Sequence, residues 1–456
     1  MSTTPRFIAV LDVGKTNIKL VVHDLESGED VFVRTRPNTL ADAPPYPHYD
    51  TEAMWSFFLG TLKEAAANRR IDALSFTTHG ATFALLAGDQ LALPILDYEF
   101  RGPDALDGAY VKARPAFSES FTPRLPGGLN AGAQLFWQAL TFPDAFAKVT
   151  TIVPYPQYWA FRFSGVLANE PTSLGVHTDL WAPARHDYSS FAKAEGLSKL
   201  FAPLHSAFDR LGTVTAEIAS QTGLSPDTPV YCGIHDSNAS LLPHLLGRRA
   251  PFTVLSTGTW VIVFAVGGAA LTLDADRDGL CNVDAFGNPV PSSRFMGGRE
   301  FDLLTEGQAQ RPTPEDVRVA LCEDIMVRPT FVPGCGPFPE GKGSWSVNPA
   351  SLSRGVRTAA VSLYLALVTR AAMTVAGAAG PIVVEGPFGR DTLFAEALQH
   401  LTGRSVLIAE GATGTSTGAA MLALGKNGRP NLPPDRSVGE SYDLAGLNGY
   451  AERWAC

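Results

Sequence analysis

The chain has 456 residues, of which 45% are hydrophobic and 18% charged, and its formal net charge is −9. That composition excludes a disordered chain and argues against a basic nucleic-acid-binding surface, and the length calls for two domains of roughly 200 residues each. The five cysteines (Cys232, Cys281, Cys322, Cys335 and Cys456) are odd in number and widely spaced. They fit free thiols in a reducing compartment and form no zinc motif.

The opening "MSTTPRFIAV" lacks a basic segment followed by a long apolar run, so no secretory leader is expected. The longest apolar stretch, "RTAAVSLYLALVTRAAMTVAGAAG", is interrupted by Arg370 and reads as a buried core helix rather than a membrane span. A cytoplasmic location, with no membrane and no nucleic-acid partner, is the expectation.

Residues 11–20, "LDVGKTNIKL", contain the Gly-Lys-Thr that ends a phosphate-binding P-loop. A P-loop has a glycine five positions earlier, where this chain has Ala9, and a helix straight after the threonine. Here Ile18, Leu20 and Val22 alternate with Asn17 and Lys19, which is strand periodicity. The P-loop is therefore rejected in favour of a β-meander whose first turn carries Asp12-x-Gly14-x-Thr16. A carboxylate there suits a phosphate that carries Mg²⁺. Asp12 would hold the hydrated metal, and the backbone amides of Gly14, Lys15, Thr16 and Asn17, with the Thr16 hydroxyl, would meet phosphoryl oxygens. An ordinary Asp/Gly β-turn has the same letters.

Next, "DTEAMWSFFLGTLKEAAANRR" places Trp55, Phe58, Leu59 and Leu62 on one helical face. "IDALSFTTHGATFALLA" is a strand that breaks into a polar turn at Thr77-Thr78-His79-Gly80, and residues 100–150 are rich in loops. In "VYCGIHDSNASLLPHLL" a short strand ends at Gly233 and Asp236 precedes a helix. The strand–turn–strand layout then restarts in "FTVLSTGTWVIVFAV", with Ser256-Thr257-Gly258-Thr259 in the turn. This repetition suggests two related halves, residues 1–245 and 246–456. The region 265–350 shows no decisive pattern. "IVVEGPFGRDTLFAEALQHLTG" gives a third turn, with Gly386, Gly389 and Asp391 between a strand and a helix, and "EGATGTSTGAAMLALG" ends in a small-residue helix.

With these turns in this order, the sequence resembles the FGGY carbohydrate kinases over nearly its whole length. The resemblance rests on "LDVGKTNIK", "THG" at 78–80, "GIHDSNAS", "STGTW" and "EGPFGRD". It implies a two-domain α/β actin-like ATPase (ribonuclease H-like) fold with an interdomain cleft, and a kinase that uses ATP and Mg²⁺. Asp12, Gly14, Lys15, Thr16, Asn17, Ser256, Thr257, Gly258, Thr259, Gly386, Gly389 and Asp391 would then form the ATP site. Asp236 matches the family's general base, with Asp12 and Asp236 near the metal. As the first residue of a helix, Asp236 also reads as a plain cap. Thr78, His79, Glu99, His235 and Asp236 itself fall where the family contacts the sugar, with Thr172, Ser173 and Asp179 as weaker candidates on a loop that borders it. His235 is alternatively a strand-end residue that faces away.

Lys15 departs from the small or hydroxyl residue common at its place, and its ammonium is expected to touch the transferred phosphoryl group. Gln157 replaces an Asp common in relatives, and "LDYEFR" keeps Glu99 and Arg101 but puts Asp97 at an aromatic position. The opening motifs resemble the rhamnulose and fuculose kinases, hence a deoxyketose-type substrate, with a homodimer kept open. The rival readings are an actin-like ATPase, which would not need the loops at 78–80 and 169–179, and a silent sugar sensor, which would not need Asp12 and Asp236.

Overall fold

The computed structural model describes residues 5–268, 272–410 and 414–455. The chain forms two compact units. The first comprises Met1–Gly247, Cys281–Pro289 and Ala412–Leu432; the second comprises Arg248–Leu280, Val290–Gly411 and Pro433–Cys456. A single cut near residue 245 therefore misses two later segments that return to the first unit.

In the first unit the strands run, across the sheet, Arg210–Thr213, Pro229–Tyr231, Ala73–Thr78, Phe7–Val13, Asn17–Asp24 and Glu29–Pro37, with Ile234–His235 also paired to Ala73–Thr78. The meander is present: Phe7–Val13 pairs antiparallel with Asn17–Asp24, which pairs antiparallel with Glu29–Pro37. A strand follows Thr16, as the rejection of the P-loop required. Ala73–Thr78 runs parallel to Phe7–Val13.

Both faces of this sheet are covered, which is why its central strands are almost uniformly apolar. On one face Leu11, Val13 and Leu20 pack against Met54, Phe58, Leu62 and Ala65 of helix Thr51–Asn68. That buried stripe is rotated from the predicted face: Trp55 and Leu59 are only partly buried, and Trp55 packs between Arg162 and the Phe163 ring. On the other face Ile8, Val10 and Ala73 meet Ala239 and Leu242 of helix Asp236–Gly247, with Ala419–Leu422. The return segment is seated there by small residues. A Cβ on Gly418 would stand 1.7 Å from the Ala239 carbonyl oxygen, so only glycine lets the two helices approach this closely.

The second unit repeats the plan. Phe252–Thr257 pairs antiparallel with Val261–Val266 and parallel with Ile382–Glu385, which runs parallel to Val406–Ile408. The indecisive region 265–350 supplies the strands Gly279–Val283 and Pro289–Phe295 and the helices Gly297–Thr305 and Pro314–Cys322. Helix Arg354–Val375 is long and apolar enough to span a membrane by composition, but 78% of its apolar window is buried inside the protein. Its Ala359, Leu363, Leu365 and Leu367 belong to the core of the second unit. Cys232, Cys281, Cys322 and Cys335 are free thiols, and Cys456 lies outside the described residues.

Candidate active site

The site of the first unit is built at the carboxyl ends of its parallel strands, where an open α/β sheet leaves a ligand-binding edge. Register puts Asp12 opposite Thr77 and Val13 opposite Thr78; on the other side of the same strand Ile234 faces Thr77 and His235 faces Thr78. Asp12 and Ile234 are thus two strand spacings apart, about 10 Å at the main chain. Asp236 follows one step beyond His235.

Asp12 is buried, and its carboxylate is held from within the same unit. The hydroxyls of Thr415 and Ser416 both donate to Oδ2, Ser416 at 2.7 Å, and the Lys19 ammonium stands 3.8 Å from the same oxygen. Among the described residues Oδ1 has no partner. The turn beside it is tied by Gly14 N–H donating to the Asn17 carbonyl at 2.9 Å and by Asn38, whose side chain donates to the Gly14 carbonyl. Thr16 and Asn17 are exposed on that turn.

Asp236 opens helix Asp236–Gly247, and its two oxygens differ. Oδ1 accepts from the Ser237 N–H at 2.6 Å, faces the Ser237 hydroxyl at 3.2 Å and lies 3.1 Å from His235 Nε2. Among the described residues Oδ2 has no partner. Burial pushes the Asp236 carboxyl up to about 6, opposed by the nearby His79 and the Ser237 bonds and reinforced by the negative charge of Asp12. The aspartate is thus both in the first turn of a helix and open at one oxygen, so the cap and the base are compatible.

His79 is neutral: burial lowers it to about 4. Its Nδ1 lies 3.2 Å from the Gly80 carbonyl, so Nδ1 carries the proton. Nε2 is buried and unpartnered among the described residues, in a wall formed by the rings of Tyr49, Tyr98 and Tyr155. That presents a hydrogen-bond acceptor to a hydroxyl. Thr78 is different: its hydroxyl donates to the His79 carbonyl at 2.9 Å and is fully buried. Thr172 is also committed internally, its hydroxyl donating to Glu170 and accepting the His235 N–H at 3.1 Å. The neighbouring Ser173 hydroxyl is buried without a partner among the described residues. Asp179 is fully buried in an ion pair with Arg114, with Tyr110 and Ser120 on the same carboxylate, and serves the core. Gln157 binds the carbonyls of Cys232 and Gly233 and shapes the strand end before His235.

Lys15 is not left open toward a phosphate. Its ammonium pairs with Asp97, lies 3.3 Å from Glu99, and sits over the Tyr98 ring at 5.0 Å. Glu99 keeps 60% of its side-chain surface exposed, whereas Asp97 keeps 9%.

In the second unit the predicted turns surround a cavity of about 500 Å³, with Phe301, Pro312, Pro387, Phe388 and Tyr442 giving flat apolar walls and Gly258 and Thr259 at its edge. That is the size and character of a small-ligand pocket. Ser256 and Gly258 are partly accessible and Thr259 is exposed. The Thr257 hydroxyl instead donates to the Glu385 carbonyl and accepts the Phe388 N–H, tying two turns together. Gly386 has φ +83°, and a Cβ there would fall 2.0 Å from the Thr257 carbonyl, so the close turn requires glycine. Gly389 packs on Ile408. Asp391 lines the cavity, but its carboxylate caps helix Thr392–Thr402 through the Phe394 N–H and accepts the Ser362 hydroxyl.

Sequence reasoning missed Thr415 and Ser416, Asn238, Glu170 and the apolar cavity walls. The hydroxyl-rich "TSTG" that opens helix Thr415–Met421 was the available signal for the first pair. Nothing local marks Phe301 or Tyr442, which reach the cavity only through folding.

Comparison with known proteins gives consistent likenesses. Residues 7–243 match the model of the FGGY family of carbohydrate kinases, N-terminal domain, and residues 249–431 match that of carbohydrate kinase FGGY, C-terminal domain. The crystal structure of a carbohydrate kinase from Novosphingobium aromaticivorans is 35% identical, with a TM-score of 0.92 over 99% of this chain and 98% of that one. Xylulose kinase from Rhodospirillum rubrum shares the fold at 18% identity and a TM-score of 0.78, covering 99% and 97% of the two chains. The autoinducer-2 kinase of Salmonella choleraesuis is 24% identical over 272 residues, which are 56% of this chain and 50% of that protein. The matched region spans about half the length of such curated relatives.

Proposed function

The chain belongs to the FGGY family of carbohydrate kinases, and we propose that it transfers the γ-phosphoryl group of ATP to a hydroxyl of a small sugar, a ketose of deoxyketose type, with Asp236 as general base. The observation that carries this reading is the Asp236 carboxylate, with Oδ1 occupied by donors and Oδ2 open at the carboxyl edge of the sheet. Phosphoryl transfer to an alcohol needs positioning, neutralisation of phosphate charge and one carboxylate to take the hydroxyl proton. The sugar hydroxyl gives its proton to Asp236 Oδ2 as its oxygen bonds to the γ-phosphorus, and ADP leaves. His79 Nε2 and the Ser173 hydroxyl are buried and unpartnered among the described residues, and each is a candidate contact for a further hydroxyl where sugar binding uncovers it.

In the second unit the apolar cavity suits the adenine ring and the amides and hydroxyls of the 256–259 turn suit phosphate; in the first unit the 14–17 turn by itself offers amides and a hydroxyl of the same kind. Mg²⁺, when bound with the nucleotide, neutralises charge on the phosphates. Asp12 fits it, with one carboxylate oxygen free and the other anchored by hydroxyls, and Asp236 lies near enough for their charges to interact. Among the described residues no group of three or more His, Cys, Asp and Glu is placed to hold a metal ion by itself. Mg²⁺ in such sites needs only one or two carboxylates besides phosphate oxygens and water. Lys15 reaches a phosphoryl oxygen only by leaving Asp97 and Glu99.

A coupled ADP-release screen over ketoses, aldoses and polyols tests the proposal. A ketose should give sugar-dependent ADP release that is lost without Mg²⁺. ADP release equal with and without every sugar would replace the sugar kinase with an ATPase.

A further inference from the structure

We propose that Lys15 is a specificity-determining residue for the sugar: with Glu99 it forms a donor–acceptor pair that reads two adjacent hydroxyls, away from the hydroxyl that receives phosphate. This rests on the sugar-kinase reading, and it assigns Lys15 to the acceptor substrate rather than to the nucleotide.

The ammonium is anchored away from the phosphate turn. It pairs with Asp97, whose Oδ1 also accepts the Glu99 N–H at 3.1 Å and faces the Tyr49 hydroxyl at 3.4 Å. Asp97 keeps only 9% of its side-chain surface exposed. Swinging Lys15 out to a phosphate would therefore leave a buried carboxylate without its cation, which is strongly unfavourable.

An ammonium has three N–H donors and no acceptor. Asp97 takes one, and Glu99 Oε2 stands 3.3 Å from Nζ, within reach of a second. The Lys15 side chain keeps 22% of its surface open, which leaves the third donor for a ligand. Glu99 is 60% exposed and sets an acceptor beside that donor. Two neighbouring hydroxyls of one sugar match such a pair: one oxygen accepts from Lys15 while the next hydroxyl donates to Glu99.

The pair belongs to the same wall as the rest of the candidate sugar site, within the first unit. Lys15 Nζ lies 5.0 Å from the Tyr98 ring centre and 5.7 Å from that of Tyr49. The His79 ring lies 5.1 and 5.2 Å from the same two rings. The His79 N–H also donates to the Val13 carbonyl at 2.9 Å, two residues before Lys15. Asp236 is near enough for its charge to act on both Tyr98 and His79. An aromatic wall with a few fixed polar groups is the usual build of a site that orients a small ligand.

Ketose epimers supply the probe. L-rhamnulose and L-fuculose are epimers, as are D-xylulose and D-ribulose, and each pair differs in the relative configuration of two adjacent mid-chain hydroxyls. A donor and an acceptor held in one geometry match one configuration and not the other. kcat/KM is measured for all four with the wild type and with Lys15→Met/Asp97→Asn, which neutralises the buried acid together with its cation. The wild type should prefer one member of a pair. The double variant should lose about ten- to a hundredfold on that member, the usual worth of a hydrogen bond to a charged group, and little on its epimer. Glu99→Gln should narrow the same preference, and KM for ATP should hold in both variants.

A wild type indifferent to configuration overturns the proposal. So does a preference that survives in the double variant, and a raised KM for ATP beside it would return Lys15 to the phosphate. If none of the four ketoses is phosphorylated, the kinase reading falls for them, and titration calorimetry of the same four without nucleotide still decides Lys15. A preference in Kd that disappears in the double variant supports the assignment; an unchanged preference, or no binding, overturns it.

Discussion

Asp236→Asn separates the base from the helix cap. An asparagine carbonyl can replace Oδ1 and keep the donors from Ser237, and its amide takes the place of the unpartnered Oδ2. The shape and local bonds survive, but the proton acceptor is gone. Loss of general-base assistance is worth on the order of 10²–10⁴ in rate, so kcat should fall by that factor while ATP binding stays near its wild-type level. Stability should move the other way. The folded carboxyl is raised from 3.8 to about 6. Its contribution is therefore complete below pH 3.8 and is lost as the pH rises through 6. A shift of roughly two units is about 3 kcal/mol at most against the ionised form at neutral pH. The side chain keeps 30% of its surface exposed, and water screening brings this to about 1–2 kcal/mol. Coupled ADP release at saturating ATP and sugar, isothermal titration with ATP and thermal melting at pH 7.5 measure the three quantities. A variant that turns over within tenfold of wild type, or melts well below it, would show that Asp236 is mainly a cap.

Glu170 is buried and raised to about 7, chiefly by burial, while Thr172 and Ser173 bonds oppose the shift. Its contribution is full below pH 4.5 and disappears as the pH rises through 7, an upper bound of about 3 kcal/mol. Urea unfolding at pH 5 and pH 8 should show that loss, and Glu170→Gln should flatten it; an unchanged slope would mean the carboxyl is not strained. Lys15→Met leaves Asp97 without its cation and should cost about 1–3 kcal/mol. Adding Asp97→Asn should restore thermal stability, and an ATP KM that stays raised in the double variant reports a separate phosphate contact, whereas a normal one rules that contact out. Gly418→Ala forces a methyl group into the Ala239 carbonyl. It should lower the melting temperature by several degrees, and an unchanged melt would mean the two helices separate freely.

Elements were legible in the sequence wherever a local rule sufficed. Alternation after Thr16 marked a strand, and Gly386 stood out as a turn glycine after an apolar strand, whereas the need for glycine at 418 comes from the distant Ala239 carbonyl and has no local sign. What stayed hidden is the pairing of groups distant in sequence. Asp12 looked like a metal ligand, but its anchoring hydroxyls lie on Thr415 and Ser416, about 400 residues later. The Thr257 and Thr172 hydroxyls looked free for ligand, yet each is bound within its own unit. A hydroxyl in a turn carries no mark of which acceptor the fold will bring to it.

Lys15 shows the same principle with a charge. Read along the chain it stands in a phosphate turn, and an unpaired ammonium there would seek phosphoryl oxygens. In the fold it meets Asp97, 82 residues on, and Glu99 beside it. Two carboxylates on one cation leave this corner with a net negative charge. On the Asp97–Glu99 side that favours a neutral polyhydroxyl sugar over an acidic one, because a sugar carboxylate arriving there without a metal ion would compete with acids already in contact. The substrate screen should therefore favour neutral ketoses over aldonates and sugar phosphates.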